Sequence, residues 1–301
     1  MALRTSSLIS LDYHIVDVFT ETALQGNGLA VVFDTVGLST ERMQAVAREF
    51  NLSETTFIQR RDPAVEKREG VRVRIFTTQE ELPFAGHPTL GTASVLKLHA
   101  PEAFDDETIR LALKVGTVPV GFNSDGLFGE MVQRDPEFLD QLDINEVARL
   151  CGLRTEDLHS TVPPQVVSTG TAFAIVALRS HEPLARLKVD QEPATQYLRA
   201  HGGRWFYVMG STGGDKPAWR ARMQFYGGED PATGSAAGCA ISYLVRHNIV
   251  ASRHQIHVQQ GVEIGRTSDL FLAAAMVDGR VTDVRVGGST VPVAKGTIFL
   301  P

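Results

Sequence analysis

Short apolar runs broken by glycine and proline clusters dominate the hydrophobic pattern, and they predict strands over residues 14–19, 29–33, 71–76, 109–113, 173–178, 206–209 and 221–225. Helical spacing is rarer. It predicts helices over 40–50, behind Ser39 as N-cap, over 145–151, ahead of Gly152, and over 237–247. Strands and helices interleaved in this way point to an α+β protein.

The pattern also repeats along the chain. Gly26-Asn27-Gly28-Leu29-Ala30-Val31-Val32 resembles Gly170-Thr171-Ala172-Phe173-Ala174-Ile175-Val176, each a glycine turn feeding an apolar strand. Arg74-Ile75-Phe76 leading to Gly86-His87 matches Arg222-Met223-Gln224 leading to Gly234-Ser235, and Val115-Gly116-Thr117-Val118 matches Gln260-Gly261-Val262-Glu263. The three matches keep their order at spacings of roughly 145 residues, which points to internal duplication. Two similar lobes follow, over 1–123 and 124–284, with the last strand, within 285–301, a candidate to cross back to the first lobe. The cleft between such lobes is a favoured place for a small-molecule site.

Composition narrows the function. With 301 residues and 43% hydrophobic content the chain can bury a full core in one large or two medium domains. A formal charge of −6, from 29 Lys+Arg against 35 Asp+Glu without any basic run, argues against nucleic acid as a partner. Cys151 and Cys239 stand far apart without Cys-x-x-Cys or Cys-x-x-His spacing, so neither a disulfide framework nor a zinc site is indicated, and a reducing cytoplasm fits. No stretch approaches the ~18 apolar residues of a membrane span, and the N-terminus lacks a signal-peptide core and reads as a short disordered start.

Two glycine motifs carry the candidate chemistry: Leu82-Pro83-Phe84-Ala85-Gly86-His87-Pro88-Thr89-Leu90-Gly91 and Glu229-Asp230-Pro231-Ala232-Thr233-Gly234-Ser235-Ala236-Ala237-Gly238. Each reads as a loop entering a helix of small residues, where free backbone N–H groups and the positive end of the helix dipole favour an anion. Two such starts facing one cleft would grip a carboxylate. Neither motif has the lysine of a phosphate-binding loop, Gly26-Asn27-Gly28 lacks the third glycine of a dinucleotide fingerprint, and the segment around Ser235 is no nucleophile elbow. His254 and His257 lie in a strand-like stretch where both would not meet one metal. Taken alone, Glu54 reads as a surface residue at a helix-to-strand junction, His87 as a structural histidine and Asp230 as a turn or capping residue as readily as catalysts.

Four blocks together are more specific. Asn51-Leu52-Ser53-Glu54-Thr55-Thr56-Phe57, the motif from Glu81 to Ala93, the motif from Glu229 to Gly238, and Gln260-Gly261-Val262-Glu263-Ile264-Gly265-Arg266 resemble the signature blocks of the phenazine-biosynthesis-like (PhzF) family. The hairpin from Asp17 through Gly28 to Val31 is similar to that family's first hairpin, so the resemblance runs from near Tyr13 to the C-terminus. It implies the diaminopimelate-epimerase-like fold, in which two lobes each wrap a curved, barrel-like sheet around a central helix. It also implies a cofactor-free, metal-free isomerase, often a homodimer, acting on a small carboxylate. The family's best-known activity converts trans-2,3-dihydro-3-hydroxyanthranilate to a ketone tautomer. By motif position the family's acid/base glutamate falls on Glu54, its active-site histidine on His87 and its aspartate on Asp230, while Gly86, Gly234 and Ser235 fall on substrate-binding positions.

The chemistry is coherent with that assignment. Moving a proton between carbons needs one carboxyl available in both protonation states near neutrality, which burial can arrange, and fixed donors where negative charge develops. Related epimerases and proline racemases use two thiols, but here Ala85 and Thr233 precede the motif glycines and both cysteines lie in the second half. A two-thiol racemase is disfavoured; an epimerase using Glu54, or a two-lobed binding protein that has lost catalysis, stays open.

Overall fold

The structure is a computed structural model, and it describes residues 8–99, 108–124, 126–214, 216, 218–225 and 228–300. The expected disordered start falls largely on residues 1–7, outside the described residues. The first half comprises β1 (Ile9–Val18), β2 (Asn27–Val32), α1 (Thr40–Phe50), β3 (Glu54–Gln59), α2 (Pro63–Glu69), β4 (Val71–Thr77), β5 (Glu81–Leu82), α3 (Gly86–His99), β6 (Thr108–Leu113), β7 (Gly116–Phe122) and β8 (Phe128–Val132). The second comprises β9 (Glu137–Gln141), α4 (Ile144–Leu150), β10 (Gln165–Ser168), β11 (Ala172–Leu178), α5 (Gln191–Ala200), β12 (Trp205–Ser211), β13 (Trp219–Arg222), β14 (Gln224–Phe225), β15 (Gly228–Glu229), α6 (Gly234–Arg246), β16 (Ile256–Gln260), β17 (Ser268–Val277) and β18 (Arg280–Leu300).

Hydrogen bonding gives the duplication its form. In the first half β1–β2 is antiparallel, β2–β3 parallel, β3–β4 antiparallel, β4–β6 parallel and β6–β7 antiparallel. The second half repeats the series with β10–β11, β11–β12, β12–β13, β13–β16 and β16–β17. The long strand β18 serves both sheets. It pairs with β17 and β8 through its first part and with β1 over Thr290–Leu300, so that 297–300 lie against Asp12 to Ile9. β18, β1, β2, β3, β4, β6, β7 and β8 thereby close into a barrel, which removes its free edges, while the second sheet ends openly at β9.

The boundary expected after Asn123 falls inside the β7–β8 hairpin, where Phe122 pairs with Gly129 and the Phe128 N–H donates to Asn123 Oδ1. A polar, glycine-containing stretch resembles a linker in sequence, but here it is a turn within one sheet. The hydrogen-bonded change of lobe comes after β8.

The central helices are α3 and α6. Gly86 through Leu96 and Gly234 through Val245 are buried without interruption, as a helix enclosed by a sheet must be. Small residues set how closely the sheet can wrap: a Cβ on Gly91 would stand 2.7 Å from Leu29 and Val18 methyl carbons. One core surrounds both helices, α4 and α5 cover a second on the outer face of β10–β12, and α1 covers a third outside the barrel. α1 begins where the Ser39 side chain accepts from the Arg42 N–H and ends at Asn51 in the left-handed conformation, φ 52°. That reversal brings the chain straight into β3, with Glu54 as its first residue. No helix among the described residues is long and apolar enough to cross a membrane.

Candidate active site

All six residues singled out in the sequence meet where the lobes meet. Glu54 opens β3, Gly86 and His87 form the first turn of α3, Asp230 lies just before α6, and Gly234 and Ser235 form the first turn of α6. The helix starts touch back to back. A Cβ on Gly86 would stand 2.4 Å from the Gly234 carbonyl carbon and the Ser235 nitrogen, and a Cβ on Gly234 would be 3.1 Å from Gly86 Cα. α6 has no side-chain cap on its first-turn N–H groups, so these donors remain for an anion.

Glu54, His87 and Asp230 form a buried acidic cluster, 8%, 2% and 5% exposed. His87 Nε2 faces Glu54 Oε2 at 3.4 Å, too long for a good hydrogen bond, and neither atom has another hydrogen-bond partner within the protein. Asp230 is held by Asn27 Nδ2 at Oδ1, 2.7 Å, and by the Thr233 hydroxyl at Oδ2, 2.6 Å. Gln260 Nε2 in turn donates to the Asp230 carbonyl at 2.8 Å and to Thr233 Oγ1 at 2.9 Å. Burial, and then the charge of Asp230, push the Glu54 carboxyl well above the ordinary glutamate range. Burial likewise raises Asp230, to about 7, against the pull of hydrogen bonds from Thr233, Asn27 and Ser53. Burial lowers His87 to about 3, so its ring is neutral at any ordinary pH.

A small, narrow pocket opens onto this cluster. Its lining includes the polar Glu54, Asp230, Thr233 and Ser235 and the apolar Phe84, Phe173, Trp205, Met223 and Phe225. Gly86, His87 and Gly234 are not part of the lining; His87 lies beside Glu54 beneath it. Cys239 is buried in α6, its thiol pushed up to about 11 by burial, and bonded to the Thr171 carbonyl at 3.6 Å, an inert arrangement.

Sequence reading missed Asn27, Thr233 and Gln260. Asn27 reads as a turn residue between two glycines and Gln260 as a strand residue, yet they are 1% and 0% exposed. A polar side chain fully buried at a strand end demands partners, and here the partners lie up to 205 residues away.

The contact between helix starts predicts a large effect for Gly86→Ala. The added methyl meets backbone, which cannot rotate aside, so the lobes must part at that point. Overpacking typically costs about 1–3 kcal/mol, and a rigid neighbour places this variant at or above the upper end. Denaturant unfolding measures the loss. A variant as stable as the parent would mean the two starts are not in contact.

Comparison with known proteins agrees with the architecture. The model of the family described as Phenazine biosynthesis-like protein matches residues 16–296. The chain is 37% identical over 295 residues to a trans-2,3-dihydro-3-hydroxyanthranilate isomerase of Pseudomonas aeruginosa, covering 96% of this chain and 99% of the relative. It is 35% identical over 303 residues to a protein of the same name from Pseudomonas chlororaphis, with coverage of 96% and 99%. Its fold superposes on a phenazine biosynthesis protein of the PhzF family from Bacillus anthracis with a TM-score of 0.84, at 24% identity, over 97% of this chain and 100% of that one. With the family matched across nearly the whole chain and full-length relatives that are isomerases, the protein belongs to the phenazine biosynthesis-like family and is an isomerase.

Proposed function

We propose that the protein moves a proton between two carbons of a small cyclic carboxylate, without a cofactor, using Glu54 as both base and acid. The observation that carries this reading is the Glu54 carboxyl: buried, raised in proton affinity, lining the pocket and lacking a hydrogen bond at Oε2. In the first step the carboxylate takes a proton from a substrate carbon, and the C–H electron pair delocalises into the substrate's unsaturated system. In the second step the Glu54 carboxylic acid returns a proton to another carbon, so the double bonds shift and nothing is oxidised or reduced. The first-turn N–H groups of α6 and the Ser235 hydroxyl hold the substrate carboxylate and stabilise developing charge. Asp230 tunes Glu54 by repulsion, and the aromatic wall of Phe84, Phe173, Trp205 and Phe225 suits a flat ring. The full-length relatives' named substrate, trans-2,3-dihydro-3-hydroxyanthranilate, has this character.

Turnover in heavy water tests the reading. Incubation with trans-2,3-dihydro-3-hydroxyanthranilate and a panel of cyclic unsaturated carboxylates should give a double-bond-shifted product carrying deuterium at the receiving carbon. Deuterium at the original carbon with inversion would make the enzyme an epimerase instead. No carbon-bound deuterium and no product with any member of the panel would remove the proposal.

A further inference from the structure

The contacts around His87 determine which of its ring nitrogens carries the proton. Nδ1 lies 3.2 Å from Asn27 Nδ2, and Nε2 faces Glu54. The orientation of the Asn27 amide is forced, because Nδ2 also lies 2.7 Å from Asp230 Oδ1 and 2.9 Å from the Ala232 carbonyl oxygen. Turning the amide over would set its oxygen against two acceptors. The two hydrogens of the Asn27 amide serve Asp230 Oδ1, the Ala232 carbonyl and, shared at 3.2 Å, His87 Nδ1; the amide nitrogen has no accepting lone pair, so a proton on His87 Nδ1 would find no acceptor there. Nδ1 must be bare, and the one proton of the neutral ring then sits on Nε2, toward Glu54.

We infer that Asn27 is a positioning residue that fixes His87 as the Nε2–H tautomer, so that the ring is a hydrogen-bond donor toward Glu54 and the reacting substrate. The inference rests on the isomerase reading for its purpose, though not for its geometry. His87 is thereby excluded as a base at Nδ1, and burial keeps it from becoming a second acid. The anchors that orient Asn27, Asp230 and Ala232, belong to the second lobe, whereas Asn27 and His87 belong to the first. The donor is therefore aimed at Glu54 only while the lobes are in contact, which links assembly of the cleft to the state of its histidine.

Long-range ¹H–¹⁵N correlation spectra of the full chain labelled with ¹⁵N-histidine test the inference, with His87 assigned by the signals lost in His87→Asn. The expected pattern is a bare Nδ1 and a protonated Nε2, unchanged over the pH range in which exposed histidines titrate. A proton on Nδ1, or a ring averaging between tautomers, would overturn it. Asn27→Asp replaces the donor with an acceptor of the same shape and should draw the proton to Nδ1. Enzymes with a catalytic histidine in the wrong tautomer lose up to about 10⁴-fold in kcat, and a loss of about 10²-fold or more with little change in KM is expected here. An Asn27→Asp protein that keeps the Nε2–H tautomer, or that reverses it and retains full kcat, refutes the assignment. Should Asn27→Asp fail to fold, the spectrum of the unaltered protein decides alone. Absence of any deuterium transfer by the unaltered protein would count against the isomerase reading, whereas a wrong tautomer counts only against Asn27.

Discussion

Glu54→Gln is expected to abolish carbon-bound deuterium incorporation and to lower turnover by about 10²- to 10⁴-fold or more, since loss of one acid/base group has that effect and the proposed mechanism gives both transfers to one group. The amide has nearly the volume of the carboxyl and retains an acceptor, so packing at the start of β3 should survive. It cannot receive a proton from carbon and return it. Stability gives the control: the buried carboxyl is held above its ordinary range by desolvation and by Asp230, so the neutral amide should leave the protein at least as stable near neutral pH. Activity lost from a protein that melts no lower locates Glu54 in the chemistry. A variant that turns over at near the parental rate would show that Glu54 is only a buried acceptor, and the donor role of His87 would then lose its object.

Much of this arrangement is legible in the residues, and the parts that are not have separate physical causes. Glycines mark both halves, because the turns at Gly26 and Gly170 before apolar strands and the close contact of the helix starts at Gly86 and Gly234 each need a residue without a side chain. Helix α1, which the sequence marks clearly, has one wet face and a capping serine. α3 is buried through its first eleven residues, from Gly86 to Leu96, so it carries no polar stripe and only its glycine and proline betray its start. A boundary at Asn123 falls within the β7–β8 hairpin because a hairpin turn and a linker have the same composition. Glu54, His87 and Asp230 are each ambiguous alone, and it is the family's blocks that connect them in the sequence. Asn27 stayed hidden for a different reason. Its partners Asp230 and Ala232 come from the other lobe, and a hydrogen bond between distant residues leaves no periodicity for either to display.

Relative to the parent protein, Asp230→Asn is expected to gain stability as pH rises from 4 to 8, by up to about 4 kcal/mol at ~1.4 kcal/mol per pKa unit. The sign follows from the carboxyl's two environments. In the unfolded chain Asp230 titrates near 3.8, whereas burial in the fold raises it to about 7. Below the lower value both states hold the proton and the carboxyl has no pH-dependent effect. Between the two values the unfolded chain has released its proton while the folded one retains it or bears a buried charge, so the parent loses stability as pH rises. Once pH passes the folded value the loss is complete, and the difference from the variant levels off. Comparing the two proteins cancels the opposite contribution of His87, whose lowered folded value stabilises the fold above pH 6.5 and is lost as pH falls toward 3. The variant also removes the repulsion from Glu54, so the acid limb of its pH–rate profile should move to lower pH, because Glu54 then ionises more readily. Denaturant unfolding from pH 4 to 8 measures the first effect and kcat/KM across the same range the second. A stability difference that stays constant with pH would mean that Asp230 titrates as an ordinary carboxyl and that its burial does not raise it.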